Sequence, residues 1–290
     1  MSSEINKAFR ERVSRRDALL MPGAANALAA RLIEDLGFEA VYLSGAGLTN
    51  TYLGLPDLGF VTLTEIAQHT AAIRDAVSLP VVVDADTGFG NALNVRHTLR
   101  TLERAGASAI QIEDQVSPKR CGHFSGKDVI DAAEMVGKIK AAVDARHDPN
   151  LLVVARTDAR ATLGFDAAID RAAAFTDAGA DITFVEAPES LDEIRAIPGR
   201  LAAPQLVNMV VGGRTPILDL AELRTMGFAL VLYANAALQG AVYGMRAALT
   251  RLREEGRLDE SGPVASFKDR QELVQKTLFD ELEKRYTAKP

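Results

Sequence analysis

The stretch "LIEDLGFEAVYLSG", Leu32–Gly45, decides the fold. It passes from a helical pattern through a glycine and about three more residues into an apolar strand with a polar end. The same order returns in "LERAGASAIQIED" (102–114), "FTDAGADITFVEA" (175–187) and "LRTMGFALVLYAN" (223–235). Gly37, Gly106, Gly179 and Gly227 stand where a helix C-cap glycine is expected, because a left-handed residue ends a helix with least strain when it lacks a Cβ. Around these units lie four more apolar runs: "ALLMPG" (18–23), "LPVVVDAD" (79–86), "LLVVARTD" (151–158) and "PQLVNM" (204–209). That makes eight strand candidates, each short, nearly continuously apolar and separated from the next by a helix-like segment. Such runs suit parallel strands buried on both faces. Eight alternating βα units point to one α/β domain over 1–290, a single (β/α)8 TIM-type barrel. An open doubly wound sheet shares most of these signals, and the count of eight favours the closed barrel.

Composition narrows the function classes. The chain has 290 residues, 48% hydrophobic and 25% charged, which is a globular composition with ample core material. A net charge of -6 argues against a nucleic-acid partner or an anionic membrane surface. No apolar run has the length of a membrane span. The N-terminal "MSSEINKAFRERVSRRDALL" has no continuous apolar core and reads as an amphipathic helix, not a signal peptide. One cysteine cannot form an internal disulfide, so a cytoplasmic location is expected. No linker interrupts the chain. The tail from Arg246 onward, 246–290, reads as a C-terminal helical extension with a break at "ESGPVAS" and a final amphipathic segment, "FKDRQELVQKTLFDELEKRY".

In such barrels the active site lies at the C-terminal ends of the strands. The expected strand ends carry Ser44, Gly45 and Ala46 after strand two and Asp84 and Asp86 after strand three. They carry Glu113 and Asp114 after strand four, and Arg156 and Asp158 after strand five. Glu186 follows strand six, Asn208 strand seven, and Tyr233 and Asn235 strand eight. Asp57 falls in the loop after strand two. This much negative charge on one rim is unfavourable without a cation. Hard oxygen ligands suit Mg²⁺ or Mn²⁺ better than zinc. Asp84 and Asp86 are expected nearest the metal, with Glu113 and Asp57 holding its waters. Any single acid is equally explained as a helix cap or a partner of Arg156; the whole ring is not. Lys119, Arg120, His123 and Arg156 are expected to bind an anionic substrate, Arg156 through a bidentate fork. The backbone of "SGAG" offers N–H groups to a carboxylate or oxyanion. Tyr42 and Tyr233 are weak candidates for a base, since a tyrosine at a strand end more often packs. The glycine-rich segments form neither a dinucleotide fingerprint nor a P-loop.

The only cysteine, Cys121, lies in "SPKRCGHFSGK", 117–127, the longest irregular region. A lone cysteine is commonly a small buried hydrophobe, but its neighbours here are polar. Zinc would need more Cys or His ligands than the chain offers. A Cys–His nucleophile is possible, yet would leave the acidic rim unexplained. Proton transfer fits better, because Lys119, Arg120 and His123 would draw the thiol pKa toward neutrality.

Taken together, "YLSGAG", "LGLPDLGF", "VDADTGFGNALNV", "IEDQVSPKRCGH", "ARTDAR", "FVEA" and "NMVVGGRTP" resemble the isocitrate lyase/phosphoenolpyruvate mutase superfamily over nearly the whole chain. "KRCGH" resembles its lyase branches, of 2-methylisocitrate and 2,3-dimethylmalate type, and "NMVVGGRTP" the dimethylmalate lyase and phosphorylmutase types. "YANAA" (233–237), after strand eight, is more similar to the mutase and hydrolase branches. The resemblance implies Mg²⁺ near Asp84 and Asp86, with Asp57 and Glu113 farther out. It implies substrate contacts from Ser44, Gly45, Ala46, Gly122, His123, Arg156, Glu186 and Asn208. It makes Cys121 the acid/base residue on a mobile loop that closes over the substrate. It also implies a C-terminal helix swapped between paired subunits in a homotetramer. The expected activity is Mg²⁺-dependent C–C cleavage of a small 2-hydroxy di- or tricarboxylate to an α-keto acid and a carboxylate. Cys121, Lys119, His123, Arg156 and Glu113 would carry the chemistry, and Tyr42 and Asp57 would join the substrate contacts. The alternative on the same fold is a carboxyvinyl-carboxyphosphonate phosphorylmutase or an oxaloacetate hydrolase/decarboxylase.

Overall fold

The eight apolar runs become eight strands. They are β1 (Leu19–Ala24), β2 (Val41–Leu43), β3 (Val81–Asp84), β4 (Ala109–Glu113), β5 (Leu152–Thr157), β6 (Ile182–Val185), β7 (Gln205–Asn208) and β8 (Leu230–Tyr233). In this computed structural model, which describes residues 2–122 and 126–287, they pair in sequence order as a closed barrel. Neighbouring strands are parallel, and β1 closes on β8 with Leu19 opposite Leu230 and Pro22 opposite Tyr233. The open-sheet alternative is therefore excluded.

Alternation along each strand divides the core into two layers. Met21, Tyr42, Val82, Val154, Phe184, Leu206 and Leu232 belong to the barrel interior. Val41, Leu43, Val81, Val83, Ile110, Ile112 and Val153 face the helices. The barrel helices are α2 (Ala27–Asp35), α3 (Gly45–Leu48), α4 (Leu63–Ala76), α5 (Ala92–Arg104), α6 (Ala132–Ala145), α7 (Arg160–Leu163), α8 (Phe165–Asp177), α9 (Leu191–Arg200) and α10 (Leu220–Met226). The four repeat glycines all take positive φ, from 80° at Gly37 to 104° at Gly179. Gly227, for example, ends α10 in the left-handed region, and its N–H donates to the carbonyls of Arg224 and Leu223. The expected N-terminal helix, α1 (Ser2–Ser14), sends Phe9 and Val13 into the interior cluster, and so stops one end of the barrel.

The tail consists of α11 (Ala236–Glu255), α12 (Phe267–Leu273) and α13 (Lys276–Tyr286). The last amphipathic segment is thus two helices, parted where Gln275 takes a left-handed φ of 59°. None of the three contains a buried residue. No helix among the described residues is long and apolar enough to cross a membrane.

Two glycines test how tightly the barrel is packed. A Cβ on Gly23 would lie 2.0 Å from the Ala234 carbonyl oxygen, across the β1–β8 closure, whereas one on Gly137 in α6 would meet nothing within 4 Å. Gly23→Ala is expected to destabilise the protein by ~1–3 kcal/mol or more. Gly137→Ala should stabilise it by ~0.5–1 kcal/mol. Urea unfolding of the two variants measures both effects.

Candidate active site

The strand ends build one rim, and backbone hydrogen bonds fix its shape. Ser44 caps α3: its Oγ accepts from Gly47 N–H at 3.0 Å and donates to Asn235 Oδ1 at 3.4 Å. Gly45 N–H donates to Asp84 Oδ2 at 3.3 Å. After β3 the chain turns sharply: Asp86 has φ 47°, and its N–H donates to Asp84 Oδ1 at 3.2 Å. Gln111 in β4 donates to the same oxygen at 3.4 Å. Asn91 then starts α5, its side chain accepting from the N–H groups of Leu93 and Asn94.

Lys119 and Arg156 each bridge several of the buried acids, while Lys127 shares Asp158 and Arg171 holds Asp114. Lys119 Nζ lies 2.7 Å from Asp57 Oδ1 and 2.9 Å from Asp86 Oδ1. Arg156 Nε and Nη2 meet Asp158 Oδ2 and Oδ1 at 2.9 and 3.0 Å. Nε also lies 3.2 Å from Glu113 Oε2, and the guanidinium lies over the Phe184 ring at 5.3 Å. The bidentate fork expected for a substrate carboxylate is therefore taken by Asp158, and the Lys119 ammonium is turned to the acids.

Charge and burial set the protonation balance. Burial pushes Asp86 up to about 6, against Lys119, with Asp84 and Asp57 adding to the rise. Glu113 is raised well above the carboxylate range, chiefly by burial and despite Arg156. Burial would raise Asp158 as well, but Arg156 and Lys127 outweigh it and hold the carboxyl down at about 2. Tyr42 is raised well above 10.0, first by burial and then by Asp84.

A cavity of about 190 Å³ opens inside this rim. Of the residues singled out in the sequence, Tyr42, Ser44, Ala46, Asp57, Asp84, Lys119, Cys121, Gly122, Arg156, Glu186 and Asn208 line it. Gly45, Asp86 and Glu113 are not in its wall; Glu113 is paired with Arg156. His123 lies outside the described residues. Of the two tyrosines, Tyr42 reaches the cavity while Tyr233 packs in an outer cluster. Asn235, expected at the end of strand eight, also lines it, and Phe184, Val210, Val211, Gly212, Gly213, Leu232 and Ala234 complete the wall. Most of them fall in the stretches "FVEA", "NMVVGGRTP" and "YANAA" at the ends of β6, β7 and β8.

Among the described residues no three His, Cys, Asp or Glu side chains form a group that could hold a metal by themselves. Asp84 and Asp86 do converge: a Cβ on Gly45 would stand 3.1 Å from Asp84 Oδ2 and 3.2 Å from Asp86 Oδ1. Glu113 Oε1 is buried and has no hydrogen-bond partner among the described residues. Converging hard oxygens and a buried carboxyl raised at Asp86 fit a small divalent cation held by one or two carboxylates and water.

The phosphoenolpyruvate phosphomutase family description matches residues 9–253. The chain belongs to the isocitrate lyase/phosphoenolpyruvate mutase superfamily. Within that superfamily it is 44% identical to 2,3-dimethylmalate lyase of Eubacterium barkeri, over 90% of this chain and 92% of that one. It is 48% identical to 2-methylisocitrate lyase of Aeropyrum pernix, over 86% and 80%. The solved structure of an oxaloacetate acetylhydrolase with 3,3-difluorooxalacetate superposes with a TM-score of 0.92 at 31% identity, over 99% of this chain and 98% of that one. With lyases as its curated relatives at these identities, this superfamily member is a carbon–carbon lyase.

Removing Asp158 would leave Arg156 and Lys127 buried without their shared carboxylate. Asp158→Ala is therefore expected to cost ~3–5 kcal/mol in chemical unfolding. The carboxyl is depressed from 3.8 to about 2, so its contribution is present above pH 3.8 and is lost as pH falls toward 2. The difference between wild type and variant should be flat from pH 5 to 8 and shrink only in acid.

Proposed function

We propose that the protein is a Mg²⁺-dependent lyase that cleaves a small 2-hydroxy di- or tricarboxylate, of 2,3-dimethylmalate or 2-methylisocitrate type, to an α-keto acid and a carboxylate. The observation that carries this reading is Cys121 in the wall of the same cavity as Asp84, Lys119, Arg156 and Glu186. The small volume and the apolar wall of Phe184, Val210, Val211 and Leu232 favour the alkylmalate end of that class.

Asp84 and Asp86 would hold the cation, with Asp57 and Glu113 farther out. A divalent ion bound there would supply Lewis-acid polarisation of the 2-hydroxy carboxylate. The chain's own groups do the rest. Ala46 at the start of α3 and the edge of the Arg156 guanidinium that Asp158 leaves open bind and orient carboxylates, and Asn208, whose buried Oδ1 has no partner among the described residues, can accept from a substrate donor. A base takes the 2-hydroxyl proton. The carbonyl of the keto acid forms as the C2–C3 bond breaks, and that bond's electron pair stays on C3 as a carboxylate-stabilised carbanion. Cys121 then transfers its proton to that carbon, which balances the step. The cytoplasm is the proposed compartment. We read the exposed Val242, Tyr243, Leu249, Phe267 and Phe279 of α11–α13 as a subunit contact within a homotetramer.

The oxaloacetate acetylhydrolase likeness, together with Asn235 in the cavity wall, favours one second reading, hydrolysis of oxaloacetate. A screen of 2-alkylmalates, 2-methylisocitrate, isocitrate and oxaloacetate, with and without Mg²⁺, separates the two. Pyruvate or glyoxylate release supports cleavage, and oxalate with acetate from oxaloacetate alone would overturn it. On the active substrate, Cys121→Ser is expected to lower turnover ~10²–10⁴-fold while succinate binding persists.

The cation has its own readout in thermal stability. At a hundredfold excess over its Kd, Mg²⁺ should stabilise the protein by about 2.7 kcal/mol. Asp86 carries a proton below about 6, and that proton competes with the ion. The Mg²⁺-induced rise in Tm should therefore be larger at pH 7.5 than at pH 5.5. No rise at either pH would remove Mg²⁺ from the proposal.

A further inference from the structure

Lys127 has no part in the reaction just described, yet its side chain is only 1% exposed. Its ammonium lies 2.8 Å from Asp158 Oδ1, and it also donates to the Gly122 carbonyl. Asp158 grips Arg156 with both oxygens. Gly122 in turn is wedged against the same group: a Cβ there would lie 2.4 Å from both Arg156 Nη2 and Glu186 Oε1. Cys121, one residue earlier, is tied on its other side, its N–H donating to the Asp57 carbonyl at 3.3 Å.

We infer that Lys127 is a positioning residue that holds the Cys121–Gly122 segment against Arg156 by bridging the Gly122 carbonyl to Asp158. The distances close a loop of contacts: Lys127 to Gly122, Gly122 to Arg156, Arg156 to Asp158, Asp158 back to Lys127. Burying an ammonium is unfavourable unless it is paired, so the ammonium seeks these acceptors and brings the segment with it. A structural ion pair between β5 and the loop would need only Asp158. The second bond, to the residue beside the thiol, is what ties the pair to the position of Cys121. The inference rests on the proposed function only in taking Cys121 to act on substrate; the geometry stands without it.

The chain's single cysteine makes thiol alkylation a specific readout. Iodoacetamide reaction rates are measured against pH in wild type, Lys127→Met and Lys127→Arg, each checked for folding by thermal melting. The high-pH plateau reports accessibility and the midpoint reports the thiol pKa. Lys127→Met should raise the plateau about tenfold, while Lys127→Arg, which keeps cation and donors, should stay within about threefold of wild type. On the active substrate, Lys127→Met should lower kcat ~10²-fold with a smaller change in KM, since misplacing a reacting group by about 1 Å costs on that order. Should Lys127→Met not fold, Lys127→Gln, which keeps an N–H for the Gly122 carbonyl but loses the charge, is expected to show an intermediate plateau. Unchanged plateaus in the folded neutral variants, or Lys127→Arg exposing the thiol as much as Lys127→Met, would overturn the inference. An altered plateau in a protein that cleaves none of the screened substrates would instead count against the proposed reaction and leave the positioning role standing.

Discussion

Everything at the rim depends on how buried carboxylates are kept apart from one another and close to cations. Closing eight parallel strands in order sends all their C-terminal ends to one side. Asp84, Glu113, Asp158 and Glu186 therefore share a small, poorly solvated space, and Asp57 and Asp86 crowd in from the loops. Like charges at such spacing raise one another's pKa, and burial adds to it. Lys119 neutralises the β3 side and Arg156 the β5 side. The two halves differ in outcome. Asp158 is fully compensated and sits at about 2, whereas Asp86 keeps a net burden and sits at about 6. The half with surplus negative charge, at Asp86, is the one whose burden a cation would relieve.

The rest of the molecule makes that arrangement affordable. Interior residues such as Met21, Val82, Val154 and Leu206 fill the barrel below the rim, and Phe9 and Val13 stop its far end. Outward residues such as Val81, Val83, Ile110 and Val153 pack on the helices. Apolar burial on both faces supplies the stabilisation against which a strained polar rim is tolerated. Three of the six non-glycine residues with positive φ among the described residues, Asp86, Phe89 and Ala187, follow strand ends at the rim.

Much of this was legible in the sequence because it is local. The helix–glycine–strand unit repeats, and a left-handed cap needs glycine, so Gly37, Gly106, Gly179 and Gly227 marked the strands. The strands then marked their own polar ends, and Tyr42, Asp84, Cys121, Arg156 and Glu186 met in one cavity. What stayed hidden depends on pairing between distant residues. Local spacing offers Arg156 as a fork for substrate, but Asp158, two positions away at the same strand end, takes that fork. Lys119 is close to Cys121 in sequence, but its ammonium meets Asp57 and Asp86, 62 and 33 positions upstream. Lys127 was not singled out, because nothing local ties it to Asp158. The apolar wall from Val210 and Val211 lies in a loop whose course no periodicity describes.

That wall completes the logic of the cavity. One side, from β2 to β6, presents carboxylates, Lys119, Arg156 and the α3 backbone. The other, from the ends of β7 and β8, presents Val210, Val211, Leu232 and Ala234, with Asn208 and Asn235 as its polar groups. A small molecule that carries both carboxylates and an alkyl group can satisfy the two sides in only one sense, since reversing it would desolvate its charge against valine and leucine. In that sense its central carbons lie between the charged floor and the apolar wall. Gly122, pressed onto Arg156 and Glu186 with no room for a Cβ, brings the neighbouring thiol to the same zone. For the proposed reaction, orientation and proton delivery would both follow from that one packing constraint.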